Sequence, residues 1–203
     1  MRIGGIEIVR FSGKALIPYL SEIAQLRIEV FREFPYLYDG SEDYEREYLQ
    51  VYTESERSVA VIALRDGEII GVSTGLPLIE ANEAFQKPFE DAGIDPAAVF
   101  YFGESVLKSV ERGQGIGHEF FTQRECHAKD LGFWTTAFCA VERADDHPMK
   151  PPGYRPHDNF WKKRGYKKFD KLKTELEWKE IGKSQETSNR LIFWLKTTTS
   201  EAS

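Results

Sequence analysis

The 203-residue chain lacks the features that would commit it to a membrane, a disulfide framework or a nucleic acid. No apolar stretch approaches the roughly 20 residues needed to cross a bilayer. Met1 to Arg10 lacks the long apolar core of a secretory signal. These absences predict a cytoplasmic protein with no membrane partner. Cysteine is scarce: Cys126 and Cys139 fall in an expected helix and an expected strand, and read as buried free thiols of a reducing compartment. Positive charge is in deficit, with 27 Lys and Arg against 33 Asp and Glu, which argues against nucleic acid as the main partner. His118, Cys126, His127 and Cys139 lack the paired spacing of a tetrahedral site, so no metal is expected. No G-x-S-x-G elbow supports a serine hydrolase.

What is present suffices for a packed core, since 41% of residues are hydrophobic and 30% charged. One domain over residues 1–196 with a tail at 197–203 is expected. Ile6 to Phe11 alternates as a first strand. Leu16, Leu20, Ile23, Val30 and Phe34 recur at helical spacing, with Pro18 in the first turn and a stop at Phe34 before Pro35. Ser41 is a good N-cap for a second helix reaching about Tyr52. Ser58 to Leu64 and Ile69 to Leu76 form a hairpin through Asp66-Gly67. A short helix is expected within Glu80 to Ala97. Val99 to Lys108 reads as a strand, Ile116 to Leu131 as a helix closed by Gly132, and Phe133 to Glu142 as another strand. A Pro-rich crossover over His147 to Pro156 leads to a short helix at Asp158 to Arg164, capped by Gly165. Leu172 to Lys179 and Arg190 to Lys196 complete a mixed α/β sheet.

Between strand and helix lies Arg112-Gly113-Gln114-Gly115-Ile116-Gly117. Its alternating glycines keep side chains off one side of the backbone and leave N–H groups converging at a helix N-terminus, an anion site suited to pyrophosphate. A P-loop requires Gly-Lys-Ser or Gly-Lys-Thr, whereas Gly117 is followed by His118 and Glu119. A dinucleotide fingerprint requires G-x-G-x-x-G on a first strand, and here the spacing is G-x-G-x-G behind a hairpin. The remaining form, Arg/Gln-x-x-Gly-x-Gly/Ala, is matched in full by Arg112, Gly115 and Gly117.

Ser105 to Leu131 thereby resembles the coenzyme-A-binding motif of the GNAT superfamily of N-acetyltransferases. Asn159 to Tyr166 resembles that superfamily's short helix ending in a Gly-aromatic pair, and the element order over residues 2–196 agrees with it. The resemblance implies a mostly antiparallel central sheet of six or seven strands, splayed at the strand before the glycine loop. It also implies acetyl-CoA as co-substrate. The main-chain groups of Gln114, Gly115, Ile116 and Gly117 would hold the pyrophosphate, with Gly113 shaping the loop and Arg112 assisting by its side chain or by anchoring the loop. Val106 and Leu107 would pair with the pantetheine arm, and Trp161 would stack or pack along the coenzyme.

The implied activity is acetyl transfer to a primary amine of a small molecule, by direct attack in a ternary complex. Such a transfer needs a base for the amine, and Glu104, in the otherwise uncharged run Val99 to Leu107, fits that role. An ion-paired structural glutamate is the plainer reading of the same residue. For the leaving-group acid the chain departs from the family. Trp161 replaces the usual tyrosine and Tyr154 stands where an asparagine is common, leaving Tyr154, His157 or Tyr166, or no acid at all. Phe31, Tyr36 and Tyr38, within an aromatic crowd that includes Phe34, Tyr44, Tyr48 and Tyr52, would line the acceptor side unless they are simply core. A non-catalytic acyl-CoA-binding module and an acetyltransferase acting on a protein amine are the alternatives. Homodimer pairing through the C-terminal hairpin is left open.

Overall fold

A computed structural model describes residues 1–198, so tail residues 199–203 lie outside the described residues. Nine strands form one mixed sheet among the described residues: β1 (Arg2–Ile3), β2 (Ile6–Phe11), β3 (Val59–Arg65), β4 (Glu68–Pro77), β5 (Val99–Tyr101), β6 (Ser105–Leu107), β7 (Thr135–Val141), β8 (Lys167–Lys179) and β9 (Glu186–Thr197). Their order is β1-β2-β3-β4-β5-β7-β9-β8, with β6 also on β4. All pairs are antiparallel except β5 with β7. The β3–β4 hairpin turns as expected: Asp66 (φ 52°) and Gly67 (φ 88°) both take the left-handed backbone that a tight two-residue turn demands.

Helices α1 (Leu20–Phe31), α2 (Glu42–Glu54) and α3 (Glu83–Asp91) cover one face of the sheet. Helices α4 (Ile116–Asp130) and α5 (Asp158–Lys163) cover the other. Ile23, Leu26, Leu49 and Phe89 fill the first core layer, and Ile116, Phe120, Phe121 and Phe138 fill the second. Each such side chain contributes roughly 1.5–3 kcal/mol by leaving water. Ser41 caps α2 as expected, its hydroxyl accepting from Tyr44 N. Helix α1 is shorter than its apolar pattern, because Gly13–Tyr19 winds as a 3-10 turn containing Pro18. At the other end the chain leaves the helix after Phe31 and folds back, with Tyr36 N and Leu37 N donating to Glu33 O.

Three expectations are corrected. The single strand expected over Val99 to Lys108 is two, broken at Phe102-Gly103-Glu104. Up to Tyr101 the segment pairs with both β4 and β7, and Phe102 N still donates to Ala137 O at 2.7 Å. Beyond that point β6 stays on β4 alone while β7 keeps only β9, and the sheet splays. The last two strands are also longer than their apolar runs. The edge strand β8 carries exposed Lys167, Lys168, Lys171 and Lys173, and such an edge resists addition of a further strand. Finally, Cys126 is exposed rather than buried, and only Cys139 is partly covered. Cys139 is held by Tyr101 Oη at 3.2 Å, and burial pushes its thiol up to about 12. One thiol of native protein should therefore react with Ellman's reagent at pH 8, and the second only on unfolding. Two fast thiols would contradict this placement.

Candidate functional site

Chain direction and hydrogen bonding make β6 an open edge. Thr74 N donates to Glu104 O and Lys108 N donates to Ile70 O, so the even positions of this strand face β4. By strand alternation the main-chain groups of Ser105 and Leu107 face the splay, whereas those of Val106 are spent on β4. The main-chain groups left open to an extended neighbour are thus those of Ser105 and the N–H of Leu107, not those of Val106 as expected. Val106 instead buries its side chain under α1.

The glycine loop follows at the end of this edge. Gly113 (φ 82°) and Gly115 (φ 87°) adopt left-handed backbone, with open space where a Cβ would stand. Gly117, inside the first turn of α4, has only Phe160 Cζ at 3.9 Å. Among the described residues the N–H groups of Gln114, Gly115, Ile116 and Gly117 find no acceptor. They lie at the positive end of a 15-residue helix. The loop is braced from outside: Arg65 grips Glu111 through two hydrogen bonds (2.9 and 2.6 Å) and reaches Gln114 Oε1 at 3.3 Å. Arg112 donates to Leu107 O and pairs with Glu33 at 2.8 Å, so its side chain anchors the loop in this conformation.

Glu104 stands at the break between β5 and β6, on the face covered by α1 and α2, with 2% of its side chain exposed. Arg27 Nη1 lies 2.8 Å from its Oε2, and Tyr48 Oη donates to the same oxygen at 3.3 Å. Oε1 is buried and has no hydrogen-bond partner among the described residues. Burial raises the Glu104 carboxyl above its ordinary value, while Arg27 opposes the rise. Below it, Arg124 of α4 donates to Glu104 O (3.0 Å), Thr74 O (3.1 Å) and Ser105 Oγ (2.7 Å), clamping the break from the other face.

The structure brings some of the other candidates to Glu104 and leaves others apart. Phe31 lies under the Arg27 guanidinium (4.9 Å) and against Tyr36 (4.5 Å). Tyr36 also meets Trp178 at 6.0 Å, and burial raises its pKa. Arg143 and Trp178 hold the Pro35 and Tyr36 carbonyls and so dock the α1–α2 turn over the end of the splay. Tyr38 packs with Trp178 and Leu191 in a cluster that Phe31 and Tyr36 also border, and burial with the Glu45 carboxylate raises its pKa. Tyr154 packs edge-on against Phe34 at 4.7 Å. His157 lies beside Trp161, exposed at its edge, and partial desolvation together with the Arg112 charge holds its imidazole below the usual value. Trp161 sits in the opposite layer, against Phe138 (5.0 Å) and Trp194 (5.1 Å). The Tyr166 hydroxyl is committed to Thr136 and Glu125 in that same layer, away from Glu104.

Sequence reasoning missed Arg27, Glu45 and Arg124. Arg27 carried a signal, since it lies four residues after Ile23 and three before Val30, on the buried stripe of α1. Two open concavities, one bordered by Glu142, Asp145 and Arg190 and one by Lys87, Asp91 and Lys173, lie apart from the loop and from Glu104. No helix of the described residues is long and apolar enough to cross a membrane.

By sequence no protein-family model and no curated protein matches the chain. Solved structures do match by shape. An acetyltransferase from Streptococcus agalactiae 2603 aligns over 96% of this chain and 99% of its own, with a TM-score of 0.59 at 15% identity. The ribosomal-protein-alanine N-acetyltransferase from Brucella melitensis aligns over 94% and 99%, with a TM-score of 0.58 at 12% identity. The PaiA N-acetyltransferase from Thermoplasma acidophilum, in complex with coenzyme A, aligns over 95% and 99%, with a TM-score of 0.54 at 15% identity. At these identities the likeness is one of architecture, and that architecture, with its mixed and mostly antiparallel sheet between helices, is the GNAT acetyltransferase fold.

Proposed function

We propose that the protein transfers an acetyl group from acetyl-CoA to a primary amine of a small molecule, by direct attack in a ternary complex. The observation that carries this reading is the pairing of a bare-amide cradle with a buried carboxylate across one open strand edge. Acetyl-CoA supplies an acyl group already activated as a thioester. The N–H groups of Gln114 to Gly117 hold its pyrophosphate, and the Ser105 main chain with the Leu107 N–H pairs with its arm. Glu104 Oε1 takes the proton from the amine as the C–N bond forms and the C–S bond breaks. Tyr154, half-buried beside Phe34, or His157 would return a proton to the leaving sulfur. Phe31 and Tyr36 line the acceptor side.

A protein amine, as in the name of the Brucella enzyme, needs an open groove, and here the docked α1–α2 turn covers that side. One observation favours a non-catalytic acyl-CoA-binding module: the packed Trp161 indole offers no proton at the position where the family commonly has a tyrosine. Turnover with any amine of a mixed panel excludes that alternative. The direct test of the cradle is calorimetric titration of acetyl-CoA into wild type and Gly117→Glu. Position 117 has helical backbone and open space, so the variant keeps its fold while placing a carboxylate among the amides. Saturable wild-type binding, weakened about tenfold or more in the variant, is expected. A folded wild type that binds no acetyl-CoA overturns the reading.

A further inference from the structure

Arg27 is shared between two buried carboxylates. Its Nε donates to Glu45 of α2, and its Nη1 faces Glu104 Oε2 at 2.8 Å. The Glu45 and Glu104 side chains are 0% and 2% exposed. The guanidinium lies between the Tyr48 ring (4.2 Å) and the Phe31 ring (4.9 Å), which fix its plane. Two carboxylates and one cation leave this cluster with an excess of one negative charge.

The other groups facing Glu104 come from four elements. Tyr48 and Tyr52 act from α2, Thr74 from β4, Arg124 from α4 through the Glu104 carbonyl, and Tyr36 from the α1–α2 turn. Of these only Arg124 is charged, and it is spent on carbonyls and Ser105. Arg27 is the cation in direct contact with the Glu104 carboxylate, Arg124 adding a smaller lowering from behind the main chain, and a cation in direct contact makes a carboxylate a poor proton acceptor. Glu45, on the far side of the same guanidinium, offsets that cation.

We propose that Glu45 is a positioning residue which, through Arg27, keeps Glu104 basic and leaves its Oε1 free for the acceptor. The purpose of this arrangement rests on the transferase reading, whereas the coupling itself does not. Glu45 adds to the rise of the Glu104 carboxyl, and Arg27 lowers it. Removing the Glu45 charge must therefore lower the Glu104 titration, and removing the Arg27 charge must raise it.

The test is a carboxyl titration by 13C NMR on glutamate-labelled protein, with Glu104→Gln identifying the signal. In Glu45→Gln the Glu104 midpoint should fall by about one pH unit or more. In Glu45→Asp, which keeps the charge, it should stay near wild type. The acid limb of kcat/KM should move with the midpoint, a change that a merely structural Glu45 would not produce. An unmoved midpoint in folded Glu45→Gln overturns the proposal. If that variant does not fold, Arg27→Gln carries the test, with an upward move expected and an unmoved midpoint again decisive. A wild type that acetylates no amine would remove the transferase reading, while the titration still decides the coupling.

Discussion

Glu104→Gln is expected to cut kcat by about 10²–10⁴-fold while leaving the affinity for acetyl-CoA within about twofold. The substitution keeps the shape of the side chain and leaves Arg27 paired with Glu45, so the buried cluster loses its excess negative charge and stays folded. It removes only the oxygen that would accept the amine proton. The pH profile should change in kind as well. Glu104 must be ionised to act, so wild-type turnover falls as pH drops through its titration, which burial places above the ordinary 4.5. The glutamine variant should lose this limb. Steady-state kinetics from pH 5 to 9, with coenzyme binding measured separately, would check both statements. Unchanged turnover would make Glu104 a structural ion-pair partner and nothing more.

Gly103→Ala should be the most damaging single methyl in the molecule. A Cβ at this position would lie 1.9 Å from Tyr52 Oη and 2.8 Å from Thr74 Oγ1. Tyr52 is 2% exposed and packed in the α2 layer, so it has little room to retreat. Overpacking of this kind costs about 3 kcal/mol, or a Tm lower by about 6–12 °C in a chain of this size. Because Gly103 adjoins Glu104, activity should fall further than stability alone explains. Tyr52→Phe in the same chain removes the nearest clashing atom and should recover part of the lost Tm. A lone Gly103→Ala with wild-type melting would show that the break between β5 and β6 is pliable.

These two residues also mark what could and could not be read from the amino-acid order. Asp66-Gly67 announced its hairpin because both residues tolerate the backbone that the turn imposes, a wholly local requirement. The shape of the glycine loop was legible for the same reason: Gly113 and Gly115 take left-handed backbone and leave main-chain groups that side chains would cover. Gly103 was not legible, because its need for glycine comes from Tyr52, a residue of another helix. The split of the expected strand falls at that same contact. Glu104 stood out as a charge in an apolar run, but its partners did not, since Arg27 and Glu45 reach it only once α1 and α2 pack together. The polar starts of β8 and β9 lacked an apolar signature, as exposed edge positions need none.

Helix α4 joins two parts of the site that are otherwise separate. Its first turn forms the cradle, and Arg124, eight residues further on, grips the carbonyl of Glu104. A straight helix rises about 1.5 Å per residue, so the two points are set about 12 Å apart along a rigid rod. That rod acts as a gauge. A donor anchored by its diphosphate can present its carbonyl carbon to Glu104 only if the arm between them has the matching length. On the proposed reaction the chain would measure its donor as well as recognise its charge, and thioesters on shortened arms should bind at one end without reacting at the other.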